Sequence, residues 1–80
     1  MSKSVFAAGY RLLLKELIAA RISAGLTQQQ VAKRLRRPQS FVSKYESGER
    51  RLDVVEFLVL AGIVGADPHA IMRKVARVLD

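Results

Sequence analysis

Residues 26–51 read LTQQQVAKRLRRPQSFVSKYESGERR and decide the fold of this chain. Two short helical patterns lie here, and a tight basic connection at Arg36, Arg37 and Pro38 separates them. Apolar side chains recur at helical spacing and predict a buried inner face at Val31, Leu35, Val42 and Tyr45. The side chains between them are mainly amides, hydroxyls and bases. A helix pair with such an outer face suits the major groove of double-stranded DNA.

The composition predicts one small folded domain. The chain has 80 residues, of which 50% are hydrophobic, and this is enough for a single core but too short for two. It contains no cysteine, so neither a disulfide framework nor a thiolate zinc site is available. His69 is the one histidine and cannot form a metal cluster alone. We therefore expect no metal and no cofactor, and we expect His69 to be a surface residue.

The charge is positive and unevenly distributed. The formal net charge is +7, to which residues 1–25 contribute +3, residues 26–51 contribute +5 and residues 52–80 contribute −1. This asymmetry indicates a polyanionic partner, with nucleic acid as the first candidate and an anionic membrane surface as the second. No apolar run approaches the roughly 18 residues of a membrane-spanning helix, and charged residues interrupt the apolar ones near the N-terminus. The sequence therefore predicts a soluble cytoplasmic protein without membrane association.

The chain begins with a pattern typical of an amphipathic helix. A loose tail is predicted at residues 1–4 and a helix at residues 5–23, which Gly25 ends in a left-handed cap. Apolar residues recur at three- and four-residue steps along this helix and predict its inner stripe. They are Phe6, Tyr10, Leu13, Leu14, Leu17 and Ile18.

Helices two to five each begin at a recognisable signal, which is a side-chain cap, a proline or both. The signals are Thr27 with Gln30, Pro38, Asp53 with Glu56, and Asp67 with Pro68. The third helix is predicted at about residues 38–47. The fourth is apolar almost all round, which indicates burial on more than one side. Five helices and no clear strand predict an all-α protein.

These motifs resemble the Cro- and phage-repressor-like helix-turn-helix family, also called the xenobiotic-response-element (XRE) family. The matching residues are Leu26-Thr27-Gln28, Val31-Ala32, Gln39-Ser40 and Tyr45-Glu46-Ser47-Gly48. The resemblance covers about residues 12–71. It implies a compact five-helix lambda-repressor-like domain over residues 1–80, with its helix-turn-helix core at about 26–51. Helices four and five, at 53–79, would then serve the core and dimerisation.

The resemblance also implies roles for individual residues. The third helix would enter the major groove and contact bases through Gln39, Ser40, Ser43 and Lys44. Phosphates would be contacted by Gln28, Ser47, Arg50 and Arg51. The basic turn before the third helix adds Arg36 and Arg37 as phosphate candidates that the family pattern does not supply. Arg21 and Glu46 would form a structural ion pair between helices one and three. A glutamine amide can pair with adenine and lysine can donate to guanine, so these residue types agree with base contact.

Two positions depart from the family pattern. Arg36 stands where the turn usually has glycine, and a left-handed backbone there would cost a non-glycine residue about 1 kcal/mol. Pro38 replaces the usual hydroxyl cap of the third helix. Among the aromatic residues beside this turn, Tyr45 is predicted to be a core residue and Phe41 to be partly exposed.

Helices four and five carry more apolar residues than one buried face needs. Exposed apolar patches commonly mark an interface, and the stripe of helix five lacks an obvious covering element. We therefore predict a homodimer interface at Val59, Ile63, Met72, Val75 and Leu79. A two-fold dimer also matches palindromic half-sites about one helical turn apart.

These expectations converge on a sequence-specific double-stranded DNA-binding regulator of transcription. The alternative is a protein-interaction module, such as a toxin-neutralising antitoxin or a restriction–modification controller, whose partner binds helices four and five. This alternative follows from the resemblance, because small members of that family have those roles. An enzyme is not expected, because the chain has no thiol, no carboxylate pair at suggestive spacing and one isolated histidine.

Overall fold

Five α-helices make up the part of the chain that the computed structural model describes, residues 3–80 with side chains from residue 5 onward. They are α1 (Lys3–Ser23), α2 (Gln28–Leu35), α3 (Gln39–Glu46), α4 (Val54–Val64) and α5 (Pro68–Leu79). No strand occurs in these described residues, and the prediction of an all-α fold is confirmed.

The start of α1 corrects the predicted tail. Because no proline or glycine interrupts the chain there, α1 begins at Lys3, and the tail is wrong for residues 3 and 4. Residues 1 and 2 lie outside the described residues. With 21 residues, α1 is about 31 Å long and accounts for most of the 37 Å long axis of the molecule. Neither α1 nor any other described helix is apolar enough over a sufficient length to cross a membrane.

Reciprocal side-chain caps determine where α2 and α4 begin. In α2, Thr27 Oγ1 accepts a hydrogen bond from the Gln30 amide at 3.1 Å, and Gln30 Oε1 accepts one from the Thr27 amide at 2.8 Å. In α4, Asp53 and Glu56 make the same pair of contacts at 2.7 and 2.9 Å. Each pair satisfies an amide donor of the first turn that the helix itself leaves without a partner. Both predicted capping pairs are confirmed.

The turn between α2 and α3 depends on a left-handed residue at Arg36. Its φ of 60° and ψ of 42° lie in the region that favours glycine. This geometry lets the Arg37 amide donate to Ala32 O at 3.0 Å, which closes α2. Pro38 follows in an extended conformation and is the N-cap of α3, without a side-chain hydrogen bond. Because Pro38 is extended, α3 begins at Gln39 rather than at Pro38.

The core lies between α1 and the inner faces of α2, α3 and α4. Its large, fully buried side chains are Tyr45, Leu17, Leu60, Val31 and Val42. The prediction that Tyr45 is a core residue is therefore confirmed. Its hydroxyl is buried and has no hydrogen-bond partner among the described residues. Burial, and to a smaller extent the charge of Glu46 against the opposing effect of Arg21, raises the pKa of Tyr45 to about 12.

Two phenylalanines differ from their predictions. Phe41 was predicted to be partly exposed, but its side chain is only 7% exposed. The guanidinium groups of Arg37 and Arg50 lie 4.9 and 4.5 Å from its ring centroid and cover it. Phe6 was predicted on the inner stripe of α1 but is 52% exposed, because no described element covers that side of the first turns of α1.

The packing of α5 on α1 partly covers two residues of the predicted dimer interface. A Cβ at Gly9 would lie 3.1 Å from Leu79 Cδ2 and 3.6 Å from Val75 Cγ1, so glycine allows the two helices to approach closely. Val75 and Leu79 therefore have a covering element, which is α1. An ion pair between Glu16 and Lys74 joins the same two helices.

The fourth helix is covered on one side. Phe57, Leu60, Ala61 and Val64 are buried, whereas Val54, Val55, Leu58 and Val59 are between 42% and 70% exposed. The prediction of burial on more than one side is wrong for the described chain, because no further element packs on the outer side of α4. We call the exposed set Val54, Val55, Leu58 and Val59 the outer α4 face.

Replacing Tyr45 with phenylalanine is expected to raise the free energy of unfolding by about 1 kcal/mol, because the change removes a buried hydroxyl without a partner and keeps the ring. The raised pKa of Tyr45 adds a pH test. The folded chain holds this proton more tightly than the unfolded chain, so stability falls as the pH rises from 10 toward about 12. Denaturant unfolding of both proteins at neutral and alkaline pH measures the two effects. A variant less stable than the parent at neutral pH, or an equal alkaline loss in both, contradicts the prediction.

Candidate nucleic-acid interface

The third helix presents two chemically different faces. Phe41, Val42 and Tyr45 are buried on its inner side. The four residues predicted to contact bases are all exposed, and they are Gln39, Ser40, Ser43 and Lys44. Their spacing places them on one side of the helix. The structure therefore brings them together on one open surface, which we call the α3 face.

A bidentate ion pair fastens α3 to α1. Arg21 Nε donates to Glu46 Oε2 at 2.7 Å, and Arg21 Nη2 donates to Glu46 Oε1 at 3.1 Å. Arg21 Nη1 also donates to Leu26 O at 2.9 Å, in the loop before α2. The two side chains are 15% and 7% exposed, so solvent screens the pair weakly. This pair, which the family resemblance implies, fixes α3 relative to α1.

A chain of hydrogen bonds extends from this pair to the α3 face. Gln28 Nε2 donates to Glu46 Oε1 at 2.9 Å, and Gln39 Nε2 donates to Gln28 Oε1 at 2.9 Å. A carboxylate only accepts hydrogen bonds, so Glu46 requires Gln28 to present its NH₂ group. The oxygen of Gln28 then requires Gln39 to present its own NH₂ group. The charge of Glu46 thereby determines which way both amides point.

This chain determines what Gln39 can offer to a ligand. One N–H of its Nε2 is used by Gln28, while Oε1 and the second N–H have no partner among the described residues. A carbonyl oxygen beside an N–H complements the donor and acceptor that adenine presents in the major groove. Gln28 likewise keeps one N–H, which is enough for a single contact to a phosphate.

Cations border the α3 face at both ends. Arg36 and Arg37 are exposed in the turn that precedes α3, and Arg51 is exposed in the loop that follows it. The guanidinium of Arg51 lies 4.4 Å from the ring centroid of Tyr10, which holds it beside α1. Ser47 is also exposed at this end. The predicted phosphate contacts therefore lie on both flanks of the helix.

The structure gives Arg50 a different environment. Its Nη2 and Nη1 donate to the two oxygens of Glu56 at 3.0 and 3.1 Å, and its guanidinium covers the ring of Phe41. The hydrogen bond from Arg50 is the main cause of a lowered pKa of Glu56. Arg50 thus joins the loop after α3 to the capping pair of α4, and this contact competes with its predicted phosphate contact.

Sequence reasoning missed three residues that shape this interface. The ring of Phe41 packs under the guanidinium groups of Arg37 and Arg50, and Glu56 accepts hydrogen bonds from Arg50. The ring of Tyr10 packs under the guanidinium of Arg51. The hydroxyl of Tyr10 accepts a hydrogen bond from the Leu52 amide at 3.0 Å. Glu56 was recognised as a capping residue, and the carboxylate oxygen that the cap does not use was the available signal for a basic partner. Nothing in the spacing of Tyr10, far along the chain from Leu52, indicates its contact.

The fold and the α3 face define a helix-turn-helix protein. The chain belongs to the helix-turn-helix domain family, whose family model matches residues 13–72. A similar solved structure is an XRE-family like protein from Pseudomonas syringae pv. tomato str. DC3000, 47% identical over 98% of this chain and 95% of that chain, with a TM-score of 0.89. No match was found among curated proteins. The predicted family is confirmed, and its general class is the DNA-binding regulator, which is typically not an enzyme.

Replacing Arg36 with glycine is expected to raise the free energy of unfolding by about 1 kcal/mol, because the left-handed residue then has no Cβ. Arg36→Ala is the matched control, since it removes the same charge and keeps the Cβ, and it should gain only the smaller part of the stability that comes from relief of repulsion by Arg37. Denaturant unfolding of the three proteins measures the difference. If Arg36→Ala raises the free energy of unfolding as much as Arg36→Gly does, Arg36 destabilises the fold through repulsion among neighbouring cations and not through its backbone conformation.

Proposed function

We propose that this chain is a sequence-specific double-stranded DNA-binding regulator of transcription that places α3 in the major groove. One observation carries the proposal, namely that exposed Gln39 is tied through Gln28 to the shielded pair of Glu46 and Arg21. An exposed glutamine ordinarily samples several rotamers, and ordering it in advance reduces the entropy lost on binding. A glutamine held in this way is prepared to contact adenine.

The other members of the α3 face extend the same reading surface. Lys44 can donate to the acceptors of guanine, and the hydroxyls of Ser40 and Ser43 can donate or accept. All three side chains are exposed beside Gln39. Together they supply donors and acceptors of the kinds that distinguish base pairs in the major groove.

The flanking groups would position α3 on the duplex without reading sequence. Arg36 and Arg37 would contact phosphates before the helix, and Arg51 and Ser47 would do so after it. Gln28 would add one contact through its remaining N–H. Arg50 holds the loop that carries Arg51 and, because Glu56 occupies it, is the weakest phosphate candidate.

Substituting Gln39 with alanine is expected to weaken binding to the preferred duplex by about tenfold to a hundredfold, because one bidentate base contact is lost. Binding to random duplex should stay unchanged. The preferred site is first obtained by selecting random duplexes with the purified protein, and affinities are then measured by fluorescence anisotropy. If the variant binds both duplexes as tightly as the parent, Gln39 does not read a base.

The matched comparison is Arg51→Ala, which should weaken specific and random binding alike. It should also reduce the slope of log affinity against log salt by about 0.9, the value for one neutralised phosphate. Arg50→Ala should change this slope less than Arg51→Ala does, if Glu56 retains Arg50 on the protein.

We also propose that the protein acts as a homodimer through the outer α4 face. Of the predicted interface residues, Val59 and Met72 are exposed, whereas Ile63, Val75 and Leu79 are partly buried against the protein's own core or α1. Met72 and Val54 line one small groove, so the exposed patch continues from α4 onto α5. An uncharged apolar patch suits a two-fold contact in which each copy presents the same surface.

Changing Val55 to glutamate is expected to convert the dimer into a monomer, because each copy would then place a carboxylate in an apolar contact. The side chain is 68% exposed, so the monomer should still fold. Sedimentation velocity measures the association state, and Val78→Glu on α5, where Val78 is 38% exposed, is the control. The monomer should lose affinity for a palindromic site but not for an isolated half-site. If the parent protein sediments as a monomer at every concentration measured, the dimer proposal is wrong.

The outer α4 face also supports a second candidate, a protein-interaction module such as an antitoxin or a restriction–modification controller. In that case another protein would cover Val54, Val55 and Leu58, and the chain alone would remain monomeric. Co-expression with a candidate partner, compared with its Val55→Glu variant, distinguishes this function from a homodimer.

A further inference from the structure

A groove of about 610 Å³ runs along α1, and no residue of the outer α4 face lines it. One wall is α1 itself, from Ala7 to Ile22, and the other is the end of α3 with Ser47 and Gly48. The α1 residues that line it recur at three- and four-residue steps, so they follow one side of the helix for about 22 Å. We call this feature the α1 groove.

The floor of the α1 groove is apolar. Leu14, Ile18 and Ile22 lie along it, and Ile22 is 62% exposed. Ala19 and Gly48 are small, so the backbone on both walls is accessible to a bulky neighbour. An exposed isoleucine in a continuous apolar strip is the kind of surface that marks an interaction site.

The rim of the α1 groove is positive. Arg11 and Lys15 from α1 and Arg51 from the loop after α3 border it, and none of the three has a carboxylate partner among the described residues. The carboxylate that lines the groove, Glu46, is already paired with Arg21. The groove therefore combines an apolar floor with cations that lack a counter-charge.

We propose that the α1 groove binds an amphipathic helix with acidic flanks from a protein partner. Apolar side chains of that helix would cover Ile18 and Ile22, in the helix-in-groove mode. Its carboxylates would meet Arg11, Lys15 and Arg51, which supplies charge complementarity. A helix of about 15 residues matches the 22 Å length of the groove.

A second copy of this chain lacks the required chemistry. Each of its described helices carries at most one acidic residue, which is Glu16 in α1, Glu46 in α3 and Glu56 in α4. All three carboxylates are already in ion pairs.

The open shape of the groove favours a helix over a small molecule. Ligand pockets bury roughly 70–90% of a small ligand, whereas the α1 groove is more open than enclosed. A helix does not need enclosure, because its affinity comes from several anchors spaced along one face.

Occupation of the groove would be coupled to DNA binding through Arg51. This step rests on the proposed function, in which Arg51 contacts a phosphate. An acidic helix that neutralises Arg51 would weaken DNA binding, and DNA would weaken binding of the helix by the same factor. Binding of the partner protein in the α1 groove would thus promote release of DNA.

The test is selection of peptides on the purified full chain without DNA, so that it does not depend on the proposed function. A displayed library presents helices of about 15 residues with an apolar face of varied residues and with flanking positions that vary among Glu, Gln and Lys. We expect recovered peptides to be enriched in Glu over Lys at the flanks. A synthetic copy should bind Ile22→Ser and the double variant Arg11→Gln, Lys15→Gln about tenfold more weakly than the parent.

Val78→Ser is the matched control, since it removes an exposed apolar side chain from α5 and should leave peptide affinity unchanged. Unfolding curves confirm that each variant is folded. The proposal is overturned if no peptide is enriched, if Lys is recovered as often as Glu, or if Ile22→Ser binds like the parent. Addition of the peptide to the protein–DNA complex then tests the coupling, and an unchanged DNA affinity overturns that step.

Discussion

The bidentate contact between Arg21 and Glu46 is the interaction on which the candidate site depends. It joins the last turn of α1 to the last turn of α3, and removal of either partner would leave the other charge shielded from water at a cost of about 3 kcal/mol. Glu46 also accepts from Gln28, which in turn accepts from Gln39. One carboxylate therefore orients the helix and the amide at its surface. Stability and recognition cannot be varied independently at this residue.

The use of acidic residues explains how the molecule keeps a positive surface. Glu16, Glu46 and Glu56 are in ion pairs, and Asp53 and Asp67 accept hydrogen bonds from helix N-termini. Most carboxylates are thus engaged inside the fold. The bases outnumber them, so exposed cations remain without a counter-charge at the ends of α3. The positive electrostatic potential at the candidate interface therefore depends on the ion pairs and helix caps that occupy the carboxylates, as well as on the number of arginines.

Local features were predictable from the residues themselves, whereas the one distant contact that was predicted, between Arg21 and Glu46, came from the family resemblance. Thr27 and Gln30 are three residues apart, so their capping pair follows from spacing alone. Gln28 and Gln39 were each assigned to DNA from the family motif, but their mutual hydrogen bond depends on how α2 and α3 pack. The close approach of α5 to Gly9 likewise depends on tertiary packing.

The same limit explains why the side chains that cover Phe41 and part of α5 were not predicted. Periodicity places a residue on a face of its own helix but does not show what lies opposite. Phe41 is covered by Arg37 and Arg50, residues that a hydropathy pattern counts as solvated. The α5 stripe was predicted to pack on a second copy, whereas α1 partly covers Val75 and Leu79 and leaves Met72 and Val78 exposed. Exposed apolar surface also remains on the outer α4 face, although the apolar pattern of α4 predicts burial on more than one side.

Arg36 shows the balance between stability and function most directly. The turn needs a left-handed residue, and at Gly25 and Gly65 the chain ends helices with the residue that adopts this conformation without strain. At Arg36 it instead retains a Cβ and adds a cation next to Arg37, and both features oppose folding. A polyanion bound at this turn would reverse the electrostatic part of the cost, since phosphate attracts both guanidiniums. The departure from glycine is therefore consistent with selection for a bound state more than for the free fold.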